Sequence, residues 1–306
     1  MILKKLIYKA IRIPLIIIFI KTPLISLLKY NFKKHKSFNK NENFFRYYLN
    51  RFFVTEYYIK LININPEEAR KIADTTLVGG EGRKWAQDYY DRHFQTLEEL
   101  KRRKSGKMTL YKSFPIYQEI INYIKINKMD NDKNCYIIQL GSSSGRDLEF
   151  FYKLFPNINY ISTDVSDEIL NFQKEKYNYK NFYFFKCHAE EIDKCIEKYS
   201  LYDKKIIFFS AGSLQYVQPF YLEVFFKKLK LIKNLNLFIC DALDIRFIND
   251  KSYRSKYRWN LNFSHNYKKY AKDFKIHNVK VIQPYDSHGI VSQFVGHYYL
   301  HLTNSN

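Results

Sequence analysis

Five short apolar runs separated by segments of helical spacing constrain this chain more than any other feature. They are "CYIIQL" (135–140), "INYISTD" (158–164), "NFYFFKC" (181–187), "KKIIFFSA" (204–211) and "NLFICDA" (236–242). Strands buried on both faces read as continuous apolar runs, and strands alternating with helices imply a parallel sheet covered on both sides. Between them, "RDLEFFYKLF" sets Leu148, Phe151 and Phe155 on one helical face, and Ser166 caps a helix whose first turn holds Asp167 and Glu168. "PFYLEVFFKKLKLI" repeats the pattern with Leu222, Phe225, Phe226 and Leu229. "HNVKVIQPY" and "GHYYLHL" then follow as two strands with no helix of normal length between them, the pattern of an antiparallel hairpin closing the sheet.

The 306 residues carry 51 Lys and Arg against 30 Asp and Glu, a net charge of +21, and the excess is localised. Residues 1–40 hold ten Lys or Arg and no acid, and residues 251–280 hold nine against Asp273, so these two stretches contain 18 of the 21 charges. The middle is close to neutral and rich in apolar residues, which excludes a disordered or collagen-like chain. The four cysteines (Cys135, Cys187, Cys195, Cys240) lack metal-ligand spacing and read as buried thiols of a reducing compartment; neither disulfide nor metal is expected.

In residues 1–40, Lys4, Lys5 and Lys9 precede an apolar run from Ile13 to Ile20. A spanning helix needs about 20 such residues. Extending the run to Leu28 takes in Pro14, Pro23 and Lys21, and a cation at that depth costs about 2.5–3.5 kcal/mol. Lysines flanking an apolar centre suit a segment lying in the interface of an anionic membrane, with a spanning anchor and a packed core helix as the alternatives. The expected location is cytoplasmic, peripheral to the membrane's inner face. Residues 41–130 read as a helical lead-in, with Asn65 as an N-cap before Pro66 and with Trp85, Tyr89 and Tyr90 able to fold over a ligand; "MDNDKN" (129–134) marks the boundary to a wound domain over 131–306.

In open parallel sheets, ligands sit beyond the carboxyl ends of the strands where the strand order reverses. Gly141 and Gly145 fall there, in "LGSSSG", at a turn where backbone approaches a ligand closely and a helix offers free N–H groups. The dinucleotide fingerprint and the Walker loop are both absent. Asp164 ends the second run, where a carboxylate accepts both hydroxyls of a ribose; an exposed cap or turn aspartate is the bland alternative. "CHAEEI" and "FFSAGSLQYV" end the third and fourth runs, so four consecutive strand ends carry small or polar residues.

On these motifs, residues 135 to about 303 resemble class I S-adenosylmethionine-dependent methyltransferases, and "SAGSLQYV" resembles the fourth-strand motif of methyltransferases of bacterial polysaccharide biosynthesis. The resemblance implies a Rossmann-like, doubly wound, mostly parallel seven-stranded sheet with an antiparallel last strand. It implies S-adenosylmethionine as cofactor, its methionine end at Gly141, Ser142, Ser143 and Gly145 and its ribose on Asp164. Val165, His188, Ala189 and Glu190 would edge the adenine, and Ser210, Ala211 and Gly212 would line the other side. The chain departs from the family at Gln139, where an acid is usual, at Ser143, often glycine, and at His188, commonly aspartate.

A hydroxyl acceptor needs a proton sink, for which Asp241, Asp244, His265 and His288 are the candidates; each also has an ordinary structural reading. Interleaved Arg and Tyr in "KSYRSKYRWNLNFSHNYKKYAKDFK" suit nucleic acid, phospholipid headgroups or an anionic glycan, and the basic amino terminus favours the last two. The expected activity is O-methylation of a sugar in a surface polysaccharide or lipid-linked glycan. The alternatives are an RNA or small-molecule methyltransferase, or a non-catalytic membrane-associated binding module.

Overall fold

The structure, a computed structural model, describes residues 58–59, 61–78, 82–92, 114–243, 252–259, 262–282 and 296–304. The amino-terminal segment 1–40 therefore lies outside the described residues. They group into two units: residues up to Gly79 with Trp259–Leu261, and everything else from Gly80 onward. In the first unit, α1 (Pro66–Val78) starts as expected from the sequence, with Asn65 Oδ1 accepting the Glu68 N–H at 3.1 Å and Pro66 at the first helical position.

The second unit is built on a seven-stranded sheet. Its strands are β1 (Cys135–Leu140), β2 (Asn159–Asp164), β3 (Phe182–Lys186), β4 (Lys205–Ala211), β5 (Asn234–Leu243), β8 (Phe274–Ile282) and β9 (Gly296–Asn304). The order is β3-β2-β1-β4-β5-β9-β8. The first five strands run parallel, with Ile138 opposite Ile161 on one side and Phe208 on the other. Strand β9 enters antiparallel between β5 and β8, its Leu300 facing Ile239 and Val279. The antiparallel closing strand read from the sequence is thus present, and the order reverses between β1 and β4.

Alternate side chains of the strands feed two cores, as a pleated sheet requires. Ile138, Ile161, Phe208, Leu237 and Leu300 pack beneath α6 (Ile192–Lys198) and α7 (Pro219–Leu229), where Leu222, Phe225, Phe226 and Leu229 are buried as their spacing implies. Ile137, Tyr160, Phe209, Phe238 and Tyr299 pack beneath α4 (Arg146–Leu154), with Leu148 and Phe151, and α3 (Phe114–Ile126), with Ile116, Ile120 and Ile124. The sequence reading placed α3 in the lead-in; its apolar stripe at a four-residue interval closes the sheet's second face. The four cysteines are free and buried, and burial, partly offset by Lys198, pushes the Cys195 thiol up to about 12.

Two elements beside the sheet position the site. Helix α2 (Gly82–Arg92) lies along α5 (Asp167–Lys176), the Arg83 guanidinium donating to Glu175 at 2.8 Å. The cationic segment after β5, read as a loop, contains a two-stranded hairpin, β6 (Ser255–Trp259) and β7 (Asn262–His265), and one helical turn, α8 (Tyr267–Tyr270). Its buried residues, Tyr253, Phe263, His265, Tyr267 and Tyr270, follow no single period, which hid it from pattern reading.

Candidate functional site

Hydrogen bonds tie the carboxyl ends of β1 to β5 into one continuous edge. Ser142 N–H donates to Thr163 O at 2.9 Å, Cys187 N–H to Asp164 O at 3.1 Å, Ser213 Oγ to Gly141 O at 3.1 Å and Gly212 N–H to Cys240 O at 2.9 Å. Gly141 (φ 65°), Ser143 (φ 51°) and Gly145 (φ 75°) are left-handed, so the chain turns through "GSSSG" without entering a helix until Arg146. A Cβ at Gly141 would run into the Ser213 side chain and one at Gly145 into Tyr177 and Gln173. Glycine is required at both by conformation and by space.

Ser143 carries a Cβ in the same left-handed region, at a cost of roughly 1 kcal/mol, and its neighbours hold it there. Its N–H donates to Asp164 Oδ2 at 3.1 Å, and its carbonyl accepts from Gln173 Nε2 at 2.7 Å. Gln173 is fully buried on α5; its Nε2 also donates to Ser142 Oγ at 2.9 Å while Ser162 Oγ donates to its Oε1. Tyr177 OH donates to Ser144 O at 2.8 Å. The turn is held by a polar clamp from the helix after β2. No local pattern announces it, because Gln173 and Ser142 are 31 residues apart and meet only through the β2–α5 crossover.

Asp164 is 6 % exposed, and burial is the main reason its carboxyl is pushed up to about 6; the N–H groups of Ser143, Ser166 and Val165 pull it partly back. Ser166 N–H donates to Oδ1 at 3.2 Å while Ser166 Oγ caps α5 through Ile169 N–H. Among the described residues no cation pairs with this carboxylate.

Gln139, on β1, donates from Nε2 to Asp147 Oδ2 at 2.7 Å, and Tyr117 OH donates to Asp147 Oδ1 at 2.7 Å. The acid missing from β1 stands instead on the first turn of α4. Next to it the buried Arg146 stacks over the Tyr90 ring at 3.8 Å, donates from Nε to Tyr90 O at 3.0 Å and pairs with Glu149 at 3.1 Å. Tyr90 is thereby brought beside the glycine turn; the side chains of Trp85 and Tyr89 lie outside those described.

The other expected residues are spread along the same edge. Val165 and His188 are half-buried, Ala189 and Glu190 are buried in the short helix after β3, and His188 N–H donates to Glu191 Oε2 at 3.1 Å. Ser210 is turned inward, its Oγ accepting Leu214 N–H at 3.2 Å, so Ala211 and Gly212 are the residues of that strand end left half-exposed.

Of the proton-accepting candidates, Asp241 is buried at the end of β5 and accepts from Tyr267 OH at 2.8 Å. His265 is buried on β7, its Nδ1 2.7 Å from Ser255 Oγ, and burial lowers its pKa to about 3, which leaves the ring neutral at physiological pH. Asp241 lies against α8 through Tyr267, and His265 faces the same tyrosine from within the hairpin. Asp244 and His288 fall outside the described residues.

No protein-family model matches the sequence, and no curated protein matches it. Solved structures do share its fold. Magnesium protoporphyrin IX methyltransferase from Synechocystis PCC 6803, solved with bound S-adenosylhomocysteine, is 10 % identical and superposes with a TM-score of 0.50 over 77 % of this chain and 99 % of its own. An S-adenosylmethionine-dependent methyltransferase from Anabaena variabilis is 10 % identical (TM-score 0.44, 61 % of this chain, 84 % of that one). One from Aquifex aeolicus is 18 % identical (TM-score 0.38, 58 % and 88 %). At these identities the likeness to the Synechocystis enzyme establishes a shared class I methyltransferase fold and leaves the chemistry to the site itself.

Proposed function

We propose that this chain is an S-adenosylmethionine-dependent methyltransferase whose acceptor is a sugar hydroxyl of a surface polysaccharide or its lipid-linked precursor. The observation that carries the cofactor reading is Asp164, a buried carboxylate without a cation, aimed by backbone N–H groups at the foot of a left-handed glycine turn. A ribose donating two hydroxyls to it would offset the cost of burying the charge. Ser143 Oγ, buried and without a partner in the same turn, adds a polar group suited to the cofactor's amino-acid end. Gly141, Ser142 and Gly145 would present backbone to that end, Val165, His188, Ala189 and Glu190 would edge the adenine, and Ser210, Ala211 and Gly212 would wall the other side.

The bound cofactor supplies a methyl group already activated on a sulfonium. The chain's own tasks are to align the acceptor hydroxyl, exclude water and take up its proton. Asp241, oriented by Tyr267, and the neutral His265 have the chemistry for the last task. Asp244 and His288 keep the same role as sequence candidates.

The glycan half of the proposal is supported by "SAGSLQYV" and by the basic residues 1–40, which would hold the chain at an anionic membrane where lipid-linked glycans lie. Two measurements test the halves separately. Calorimetric titration with S-adenosylhomocysteine is expected to show binding to the wild type that Asp164→Ala loses, and no binding by the wild type overturns the enzyme. Methyl-labelled cofactor incubated with the protein and a membrane extract is expected to label a lipid-linked glycan, and label in RNA or in water-soluble metabolites alone overturns the acceptor.

A further inference from the structure

The described cations of the segment 251–280 are carried by elements that pack against α7, with Tyr270 and Phe274 both set against Phe226. Lys256, Lys268, Lys269, Lys272 and Lys275 are exposed on β6, α8 and the start of β8. Arg254 joins them to α7 through Glu223 at 2.9 Å, and Lys227 and Lys230 continue the face along that helix. Lys268, Lys269, Lys272 and Lys275 have no carboxylate partner among the described residues. Lys205 and Lys233, by contrast, are held by Asp132 and Asp203 at 2.8 and 2.7 Å. One turn before Glu223, Phe220 opens α7 at 64 % exposure.

Among the described residues most of the aromatics interleaved with these cations are turned the other way, and Tyr257 is half-buried against Phe263. Tyr253, Phe263, Tyr267 and Tyr270 are buried, with Arg254 stacked over the outer side of the Tyr270 ring at 4.6 Å. Single-stranded nucleic acid is gripped by rings presented outward for bases to stack on, and here those rings are spent on the hairpin's own core. Among the described residues of β6, α8 and α7, those exposed are lysines and Phe220, the combination that favours an anionic bilayer: lysine stems reach headgroup phosphates, and the ring enters the interfacial region.

We propose that the face formed by β6, α8 and the outer side of α7 docks on anionic lipid, as a folded membrane contact in addition to the lysine-flanked apolar segment in residues 1–40. The inference is independent of the methyltransferase reading. The hairpin that carries His265 and packs against β5, where Asp241 lies, belongs to the docked side.

The test uses the full-length protein and vesicles of phosphatidylcholine with or without phosphatidylglycerol, read by co-sedimentation across a salt series. Lys268→Glu/Lys269→Glu/Lys272→Glu is expected to weaken binding to the anionic vesicles at least tenfold and to flatten its salt dependence, with an unchanged circular-dichroism melt. Phe220→Ser, which carries no charge change, is expected to weaken it about threefold with the salt dependence intact. Unaltered vesicle binding in the triple variant overturns the proposal, since the amino terminus then carries the attachment alone. Loss of binding to an RNA oligomer with vesicle binding retained overturns it in favour of a nucleic-acid face.

Discussion

The two ends of the parallel strands meet the same physical problem, polar groups at the margin of an apolar sheet, and solve it in opposite ways. At the amino end, charges neutralise one another in water: Lys205 with Asp132 and Lys233 with Asp203, around a cleft of about 310 Å³ lined also by Tyr123, Asn234, Asn236 and Thr303. Such exposed pairs contribute little. At the carboxyl end a carboxylate is buried without a cation, a serine is held left-handed, and a glutamine is committed to keeping the turn in place. An edge that retains groups in costly states is organised for something other than its own stability, whereas the amino edge is ordinary surface.

The largest expected effect concerns the ligand. Asp164→Ala is expected to reduce S-adenosylhomocysteine affinity about 100-fold, the loss of two charge-assisted hydrogen bonds. Lys233→Ala at the amino end should leave affinity within error, and a comparable loss there would erase the contrast between the edges. Next comes the clamp. Gln173→Leu removes the donor to the Ser143 carbonyl and leaves the hydroxyls of Ser142 and Ser162, 2.6 Å apart, only each other, and should lower unfolding free energy by about 2–3 kcal/mol in urea titrations.

Asp164 also ties the edge to pH. Because its carboxyl is raised to about 6 in the fold, above the unfolded value of 3.8, its contribution to stability is fully present below 3.8 and is lost as pH rises through 6. Asp164→Asn should therefore stabilise the ligand-free protein by about 2 kcal/mol at pH 8 and have little effect near pH 4. Ligand affinity should run the other way, falling about tenfold between pH 7 and pH 5 as the acceptor carboxylate is protonated. A flat profile would mean that Asp164 does not bind the ligand in its charged form. The smallest effect is Ser143→Gly, which relieves the left-handed strain and should raise the stability of the ligand-free protein by about 0.5–1 kcal/mol while lowering affinity a few-fold through loss of Oγ.

What the sequence disclosed and what it withheld divide along the same line. Strands such as 204–211 and the stripe of Leu222, Phe225, Phe226 and Leu229 are local patterns, and the caps at Asn65 and Ser166 act within three or four residues; all are readable from neighbouring letters. Asp164 was legible because it ends an apolar run. Gln173, Tyr177 and Asp147 were not, since each acts on a partner that only the winding of the sheet delivers: Ser142, Ser144 and Gln139. The β6–β7 hairpin escapes local reading for a related reason: Phe263 and His265 of β7 are buried against each other and against Tyr267 of α8, a cluster that only the folded segment assembles.

The claim on which all of this depends is that the carboxylate of Asp164 receives a ribose. Its most direct test is a double-mutant cycle between protein and ligand, comparing S-adenosylhomocysteine with its 2′-deoxyribose analogue on the wild type and on Asp164→Ala. The account predicts that removing the 2′-hydroxyl costs the wild type about tenfold in affinity and costs the variant nothing. Equal losses in the two proteins would place the sugar elsewhere and contradict it.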